Sequence, residues 1–521
     1  QTGMVFVAAQ SDTQRMLAAI WERVLRVEQV GRHDHFFELG GHSLMATRVV
    51  SDIARRFGKP MPVRALFEHA TIARLGAYLD AQTHSGYSDI PRIQRDHLLP
   101  LSFAQQRLWF IDRLEGNSSQ YNMPAALKFT GQLDVAALRH AMDCLVARHE
   151  VLRTTYAELD GVAVQQVQPV GPVPLQIIDL RDQEASARRQ RLDILIEQEA
   201  TRPFDLSCDL MLRVCLIQLA ANEQALLFTL HHIASDGWSM DVLVREFKAL
   251  YAGHVEGRMP ALADLPVQYA DYAAWQRERM QGAGLQMQLD YWREHLSGLP
   301  AVHNLPLDRS RPSRQHFGGG RINHDLDSVT VEALNALARQ HDATLFMVLE
   351  AAFAALLSRW SGEDDIAVGT LIAGRVHQDI EPLIGFFVNT LVLRTDLSGD
   401  PDFIAVLEQT RSRALAAYEH QDVPFEMLVE ELKPARSLAH NPLFQIAFSM
   451  RNNEQPVLEL PGLAVAPLSK HEAELSMFDL QLSATEHDRG MRLSWLYAQH
   501  LFDGASIERM SAAYLRLLTW V

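Results

Sequence analysis

Cysteine is scarce. Three residues in 521, Cys144, Cys208 and Cys215, make no even disulfide framework and no paired CxxC spacing for a structural zinc. They read as small buried apolar side chains, and no metal is expected. Positive charge is also short: 48 Lys and Arg face 64 Asp and Glu, a formal net charge of −16. That deficit argues against a nucleic-acid partner, which would want a basic stripe. No stretch approaches the ~18 uninterrupted apolar residues of a membrane span. The longest candidate, Leu345 to Leu357, is broken by Glu350 and reads as a core helix. Gly and Pro, 28 and 22, are too few for a collagen-like or low-complexity chain. The start, Gln1-Thr2-Gly3-Met4-Val5-Phe6, is no signal peptide and lacks an initiator methionine, so the chain is expected to be cut from a longer one.

What is present is an ordinary globular balance, 48% hydrophobic and 21% charged. It fits a cytoplasmic protein, here expected to be a monomer. Length over ~150 gives a prior of about three folding units. Residues 11 to 82 read as four short helices. Met16, Leu17, Ile20, Val24 and Leu25 recur at helical spacing behind a Ser11 or Asp12 cap, and Leu44, Met45, Val49, Ile53 and Phe57 mark a second helix. Short pieces at Leu66-Phe67 and Thr71 to Asp80 complete a small bundle. Residues 83–98 are polar, with Gly86 and Pro91, and read as a mobile linker.

The remainder mixes the two periods, implying an α/β domain in two lobes. Helices are predicted at Val135–His149, Ala185–Thr201, Met240–Tyr251, Val267–Met280, Val329–His341 and Thr344–Trp360. Strands are predicted at Ala125–Thr130, Val162–Val167, Leu212–Ala220, Ala225–His232, Asp365–Ile372 and Leu391–Thr395. The turn-rich Ser297–Arg321 reads as a long loop between lobes.

Two strings carry chemistry. In Leu39-Gly40-Gly41-His42-Ser43-Leu44 a serine follows two glycines at a helix start. The glycines permit close approach, and the helix N-terminus suits a phosphate. Read from spacing alone, Ser43 is more readily a plain N-cap than a phosphate site. The longer string Asp34-His35-Phe36-Phe37-Glu38-Leu39-Gly40-Gly41-His42-Ser43-Leu44 closely resembles the phosphopantetheine attachment motif of peptidyl carrier proteins. These are the four-helix carriers of nonribosomal peptide synthetases. The resemblance implies 4′-phosphopantetheine on Ser43, flanked by Asp34 and His42, with the donor peptide held on the arm as a thioester.

The second string is His231-His232-Ile233-Ala234-Ser235-Asp236-Gly237, at the end of a predicted strand. Strand neighbours point to opposite faces, so the two histidines should not share a task or chelate one metal. The string resembles the HHxxxDG motif of condensation domains, in the chloramphenicol acetyltransferase-like superfamily. Ser102–Phe110, Arg148–Thr154, Tyr269–Gln276, Gly369–Arg375, Ile384–Leu391, His420–Glu426 and Arg436–Gln445 resemble the family's other motifs in order.

The two resemblances imply a carrier–condensation didomain. Its parts are a carrier domain at 1–82, a linker at 83–98, an N-terminal lobe at 99–274 and a C-terminal lobe at 275–521. They imply amide-bond formation, in an antibiotic or siderophore pathway, between the donor on Ser43 and a downstream acceptor carrier's amine. An upstream adenylation domain and a phosphopantetheinyl transferase are the other implied partners. His232 is expected to face the tunnel, as base or as orienting group, with His231 turned away. Gly237 N–H is a candidate oxyanion donor. Asp236 is read as the buried partner of Arg375, with Arg148 as second choice, in preference to a catalytic acid. Trp275 and Asn389 line the tunnel or pack in the core. The forms Ser102–Phe110 and Ser235–Ser239 resemble domains joining an L-ending donor to an L-acceptor. An epimerising relative, a non-catalytic docking module and a coenzyme A acyltransferase are the alternatives.

Overall fold

The computed structural model describes residues 6–59, 61–82, 89–116, 118–435, 437–451, 458–468 and 475–521. Arg436 of the last motif stretch and the expected linker residues 83–88 lie outside the described residues.

Among the described residues the N-terminal unit is four helices: α1 (Asp12–Leu25), α2 (Ser43–Phe57), α3 (Val63–Glu68) and α4 (Ile72–Ala81). Ser11 caps α1 by accepting the Gln14 N–H, and Thr71 caps α4 through the Arg74 N–H. Leu17, Ile20, Trp21, Val49, Ile53, Leu66, Leu75 and Leu79 fill the centre, each fully buried.

The rest is a two-lobed α/β domain. Among the described residues, the first lobe's main sheet has five strands in the order Leu463–Pro467, Asn122–Gly131, Glu223–His231, Leu212–Ala220, Leu175–Asp179. Its outermost strand, Leu463–Pro467, comes from late in the chain and ties the lobes together by antiparallel pairing with Asn122–Gly131. The second lobe's sheet has six, in the order Asn389–Asp396, Asp365–Ile372, Ile446–Arg451, Leu480–His487, Gly490–Ala498, Gly319–Asp327. The apolar helix Leu345–Ser361 lies buried against it as a core helix. Among the described residues no single helix is long and apolar enough to cross a membrane.

Three expectations are revised. Residues 89–98 are not a free linker. Ile90 is buried in the first lobe's core, Arg92 donates to the carbonyls of Leu265 and Pro266 (2.6 Å each), and Ile93 N–H and Arg95 bind Asp271 (2.8 and 2.7 Å). The helix Tyr269–Arg279 runs unbroken through the expected lobe boundary at 274/275. The strand expected to reach His232 ends at His231, because His232–Ala234 winds into one 3-10 turn.

Candidate active site and carrier dock

The central strand Glu223–His231 delivers both histidines to the junction of the lobes. His231 is 1% exposed, packs beside Phe204 (centroids 5.6 Å) and accepts the Ile233 N–H at Nδ1 (3.1 Å). Burial, with the charges of His232 and Arg213, lowers its pKa to about 3. It is a neutral strut. His232 leaves the strand, and its N–H is held by the Tyr121 carbonyl (2.9 Å). Its Nδ1 lies 3.0 Å from the Ser235 carbonyl. A carbonyl only accepts, so Nδ1 carries the proton and Nε2 keeps a basic lone pair. Among the described residues no hydrogen bond is made to Nε2. The ring meets Phe386 of the second lobe at 5.5 Å. Desolvation lowers the pKa of His232, opposed by the Ser235 carbonyl and the Asp236 charge, although the residue keeps accessible surface. That combination describes a neutral imidazole that is largely desolvated but still partly exposed.

Asp236 caps the helix Gly237–Val255 and has no exposed surface. Oδ1 accepts from Ser239 N–H (2.8 Å), Ser239 Oγ (2.7 Å) and Arg375 (3.3 Å); Oδ2 accepts from Phe387 N–H (3.0 Å). Arg375 also donates to the Leu383 carbonyl (2.9 Å) and lies 4.2 Å over Phe387. Arg148 takes another partner, Glu246 (3.1 Å), which also binds His149 (2.7 Å). Gly237, the first residue of its helix, is exposed, and a Cβ there would meet nothing. Its N–H sits at the helix's positive end.

Several positions are not singled out by the sequence although they sit in the quoted motif stretches. Tyr269 donates to the Phe386 carbonyl (2.6 Å) and receives Ser102 Oγ–H (2.9 Å). A Cβ on Gly385 would lie 2.1 Å from the Tyr269 ring, so only glycine lets these two meet. Gln105 donates to the Ile233 carbonyl (3.3 Å), bracing the histidine turn from below. Trp275 and Asn389 line a cleft that also reaches Phe386. Asn389 spends its amide on the carbonyls of Gln421 (2.9 Å) and Val423 (2.8 Å), and Trp275 is 8% exposed. Both are held by packing or backbone bonds.

The first sequence site opens α2. His42 is its N-cap but makes no capping bond through its side chain, and burial plus the Arg48 charge lowers its pKa to about 4. The first-turn N–H groups beside Ser43 are thus left without a side-chain cap, which suits a phosphodiester. Gly40 adopts φ +91°, and a Cβ on Gly41 would lie 2.4 Å from Phe36, so the approach is built from glycine. Asp34 accepts the Gly31 N–H (2.7 Å) and shapes the loop before α2. These residues fit the prosthetic group. The bundle rests on the second lobe, α3 against Phe403–Glu419 and α2 against the turn Gln378–Ile380.

A two-lobed α/β fold with one basic imidazole nitrogen at the lobe junction, and a serine-bearing bundle docked beside it, defines a carrier-fed acyltransferase. Residues 95–521 match the family described as condensation domain, and residues 15–79 the phosphopantetheine attachment site. The chain belongs to the condensation-domain family, whose chemistry is amide-bond formation between carrier-bound substrates, and its carrier domain takes covalent 4′-phosphopantetheine. A linear gramicidin synthase of Brevibacillus parabrevis is 46% identical over 517 residues, 98% of this chain and 10% of its own. Tyrocidine synthase 3 of the same organism is 38% identical, across 100% of this chain and 8% of its own. The X-domain from teicoplanin biosynthesis aligns with a TM-score of 0.74 at 31% identity, covering 83% of this chain and 96% of that one. The chain spans about a tenth of the length of the curated relatives it matches.

Proposed function

We propose that this didomain joins a donor acyl group carried on Ser43 to the amine of an aminoacyl thioester on a downstream carrier. The phosphopantetheine supplies a long arm ending in a thiol, to which the donor is bound as a thioester. His232 Nε2 orients the attacking amine and takes its proton as the tetrahedral centre forms; Gly237 N–H stabilises the oxyanion. The amide bond forms, the carbon–sulfur bond breaks, and the donor thiol leaves with a proton. An α-amine of ordinary pKa ~8 is partly neutral near pH 7, so the demand on the base is small. Asp236 and Arg375 hold the turn and do not exchange protons. Both substrates are of the L series on this reading. An upstream adenylation domain and a phosphopantetheinyl transferase charge Ser43, and the setting is cytoplasmic.

The observation that carries this is the His232 ring, with Nδ1 fixed on a carbonyl and Nε2 left basic. The test is product mass from a loaded donor didomain and a loaded acceptor carrier. His232→Ala is expected to fold normally and lose about 10²-fold or more in rate, the contribution of a positioned base. Parental turnover would remove the residue from the reaction. Equal turnover of D-ending and L-ending donors would remove the stereochemical assignment.

A further inference from the structure

The carrier presents Arg48 to the turn that follows the catalytic histidines. Arg48 lies five residues past Ser43, about 7.5 Å along α2. Its guanidinium sits 4.3 Å from the centroid of the Trp238 ring, and its Nε is 3.6 Å from the Glu381 carboxylate. Trp238 directly follows Gly237. Its indole N–H donates to the Glu381 carbonyl (3.1 Å), so one residue fixes the ring through its backbone and receives the carrier through its side chain. Arg375, the partner of Asp236, approaches the same ring at 5.7 Å and also donates to the Leu383 carbonyl in the Glu381 loop. Arg26 and Arg245 are like charges near Arg48, so Glu381 and Asp52 are the groups that balance it. Burial pushes the Glu381 carboxyl above its ordinary pKa and the Arg48 charge opposes this.

We propose that Arg48 is the residue by which the condensation domain reads a seated donor carrier, and that Trp238 couples that seating to Arg375, Asp236 and the histidine turn. The inference rests on the reading of Ser43 as donor carrier and goes beyond it by naming a positioning pair away from the reacting atoms. Carriers lacking a planar cation at this position seat on the condensation domain without ordering the loop. Lysine is an imperfect substitute, because it keeps the charge and loses the stacking plane.

Single-turnover condensation of the loaded didomain with a loaded acceptor carrier tests this. Arg48→Met keeps length and apolar stem, and is expected to slow the reaction about tenfold, the scale of a cation–π contact joined to a half-buried ion pair. Arg48→Lys recovers part of the loss. Trp238→Leu slows the reaction as well, and adding Arg48→Met to it costs no more than Trp238→Leu alone, because the two act as a unit. Trp238→Phe, which keeps an aromatic face, guards against a folding defect. With a donor offered as a soluble pantetheine thioester, the Arg48→Met loss is smaller than with the tethered donor. Intact mass of the phosphopantetheinylated Arg48→Met protein verifies that loading has not failed. Parental rates for Arg48→Met, additive losses in the double variant, or equal losses on soluble and tethered donors would each overturn the coupling. If His232→Ala is inactive while Arg48→Met is parental, only this inference fails; if His232→Ala is parental, the functional reading itself has failed.

Discussion

At Asp236 four hydrogen bonds converge on one carboxylate with no exposed surface. Such a group is sealed away from substrate, and its removal strands the Arg375 charge. Asp236→Ala is expected to destabilise the protein by about 3–5 kcal/mol, the cost of an uncompensated buried charge, seen as a fall in Tm alongside lost activity. Full stability with no activity would return Asp236 to the chemistry. A buried acid needs a cation, but it was the family resemblance, with the place of Arg375 after a predicted strand, that singled out Arg375 over Arg148. The parting of the histidines was also anticipated, but for an incomplete reason: strand alternation stops at His231, and the 3-10 turn re-aims His232.

A second buried acid has no site to serve. Glu350, 1% exposed in the core helix Leu345–Ser361, has its pKa raised by desolvation from 4.5 to about 7, with Thr410 and Arg413 opposing. The folded state keeps a proton that the unfolded chain releases above about pH 4.5. Its stability is therefore fullest below that pH and falls as pH rises through 7, by roughly 3 kcal/mol if the carboxyl stays buried. Glu350→Gln is expected to raise Tm more at pH 8 than at pH 5; equal gains at both would show that the carboxyl titrates normally.

Several elements were readable to the residue. The helix Ala185–Thr201 and the strands Val162–Val167, Leu212–Ala220 and Asp365–Ile372 fall at their predicted bounds. The helix Phe103–Glu115 is not among the predicted ones, although Ser102 and Gln105 spell a capping box, which the structure forms in both directions. Ser102→Ala removes that cap and the bond to Tyr269. The expected cost is about 1–2 kcal/mol by denaturant titration. Condensation should slow too, since Gln105 braces Ile233 beside the histidine. The strand Leu463–Pro467 had no local cue: its partner lies more than 300 residues earlier, and pairing at that distance leaves no mark on a short window.

Across the whole molecule, the carrier's seat was invisible in the sequence for the same reason, since Arg48 meets residues 238 and 381. Tether length, by contrast, can be counted. Between Gln82 and the buried Ile90 lie seven residues, which span at most about 25 Å. Inserting six Gly/Ser residues after Ser85 roughly doubles that segment and adds ~0.6 kcal/mol of closure entropy. Condensation from the tethered donor should slow about threefold; a loss of a hundredfold would mean the native spacing is set by contacts, not by chain length.

Asp271 and the carbonyls of Leu265 and Pro266 thus do more than tidy a connecting peptide. They stake the bundle's lead to a fixed post, so its delivery range is a small sphere drawn about Ile90. On the reading proposed above, whatever charges Ser43 has to come inside that sphere.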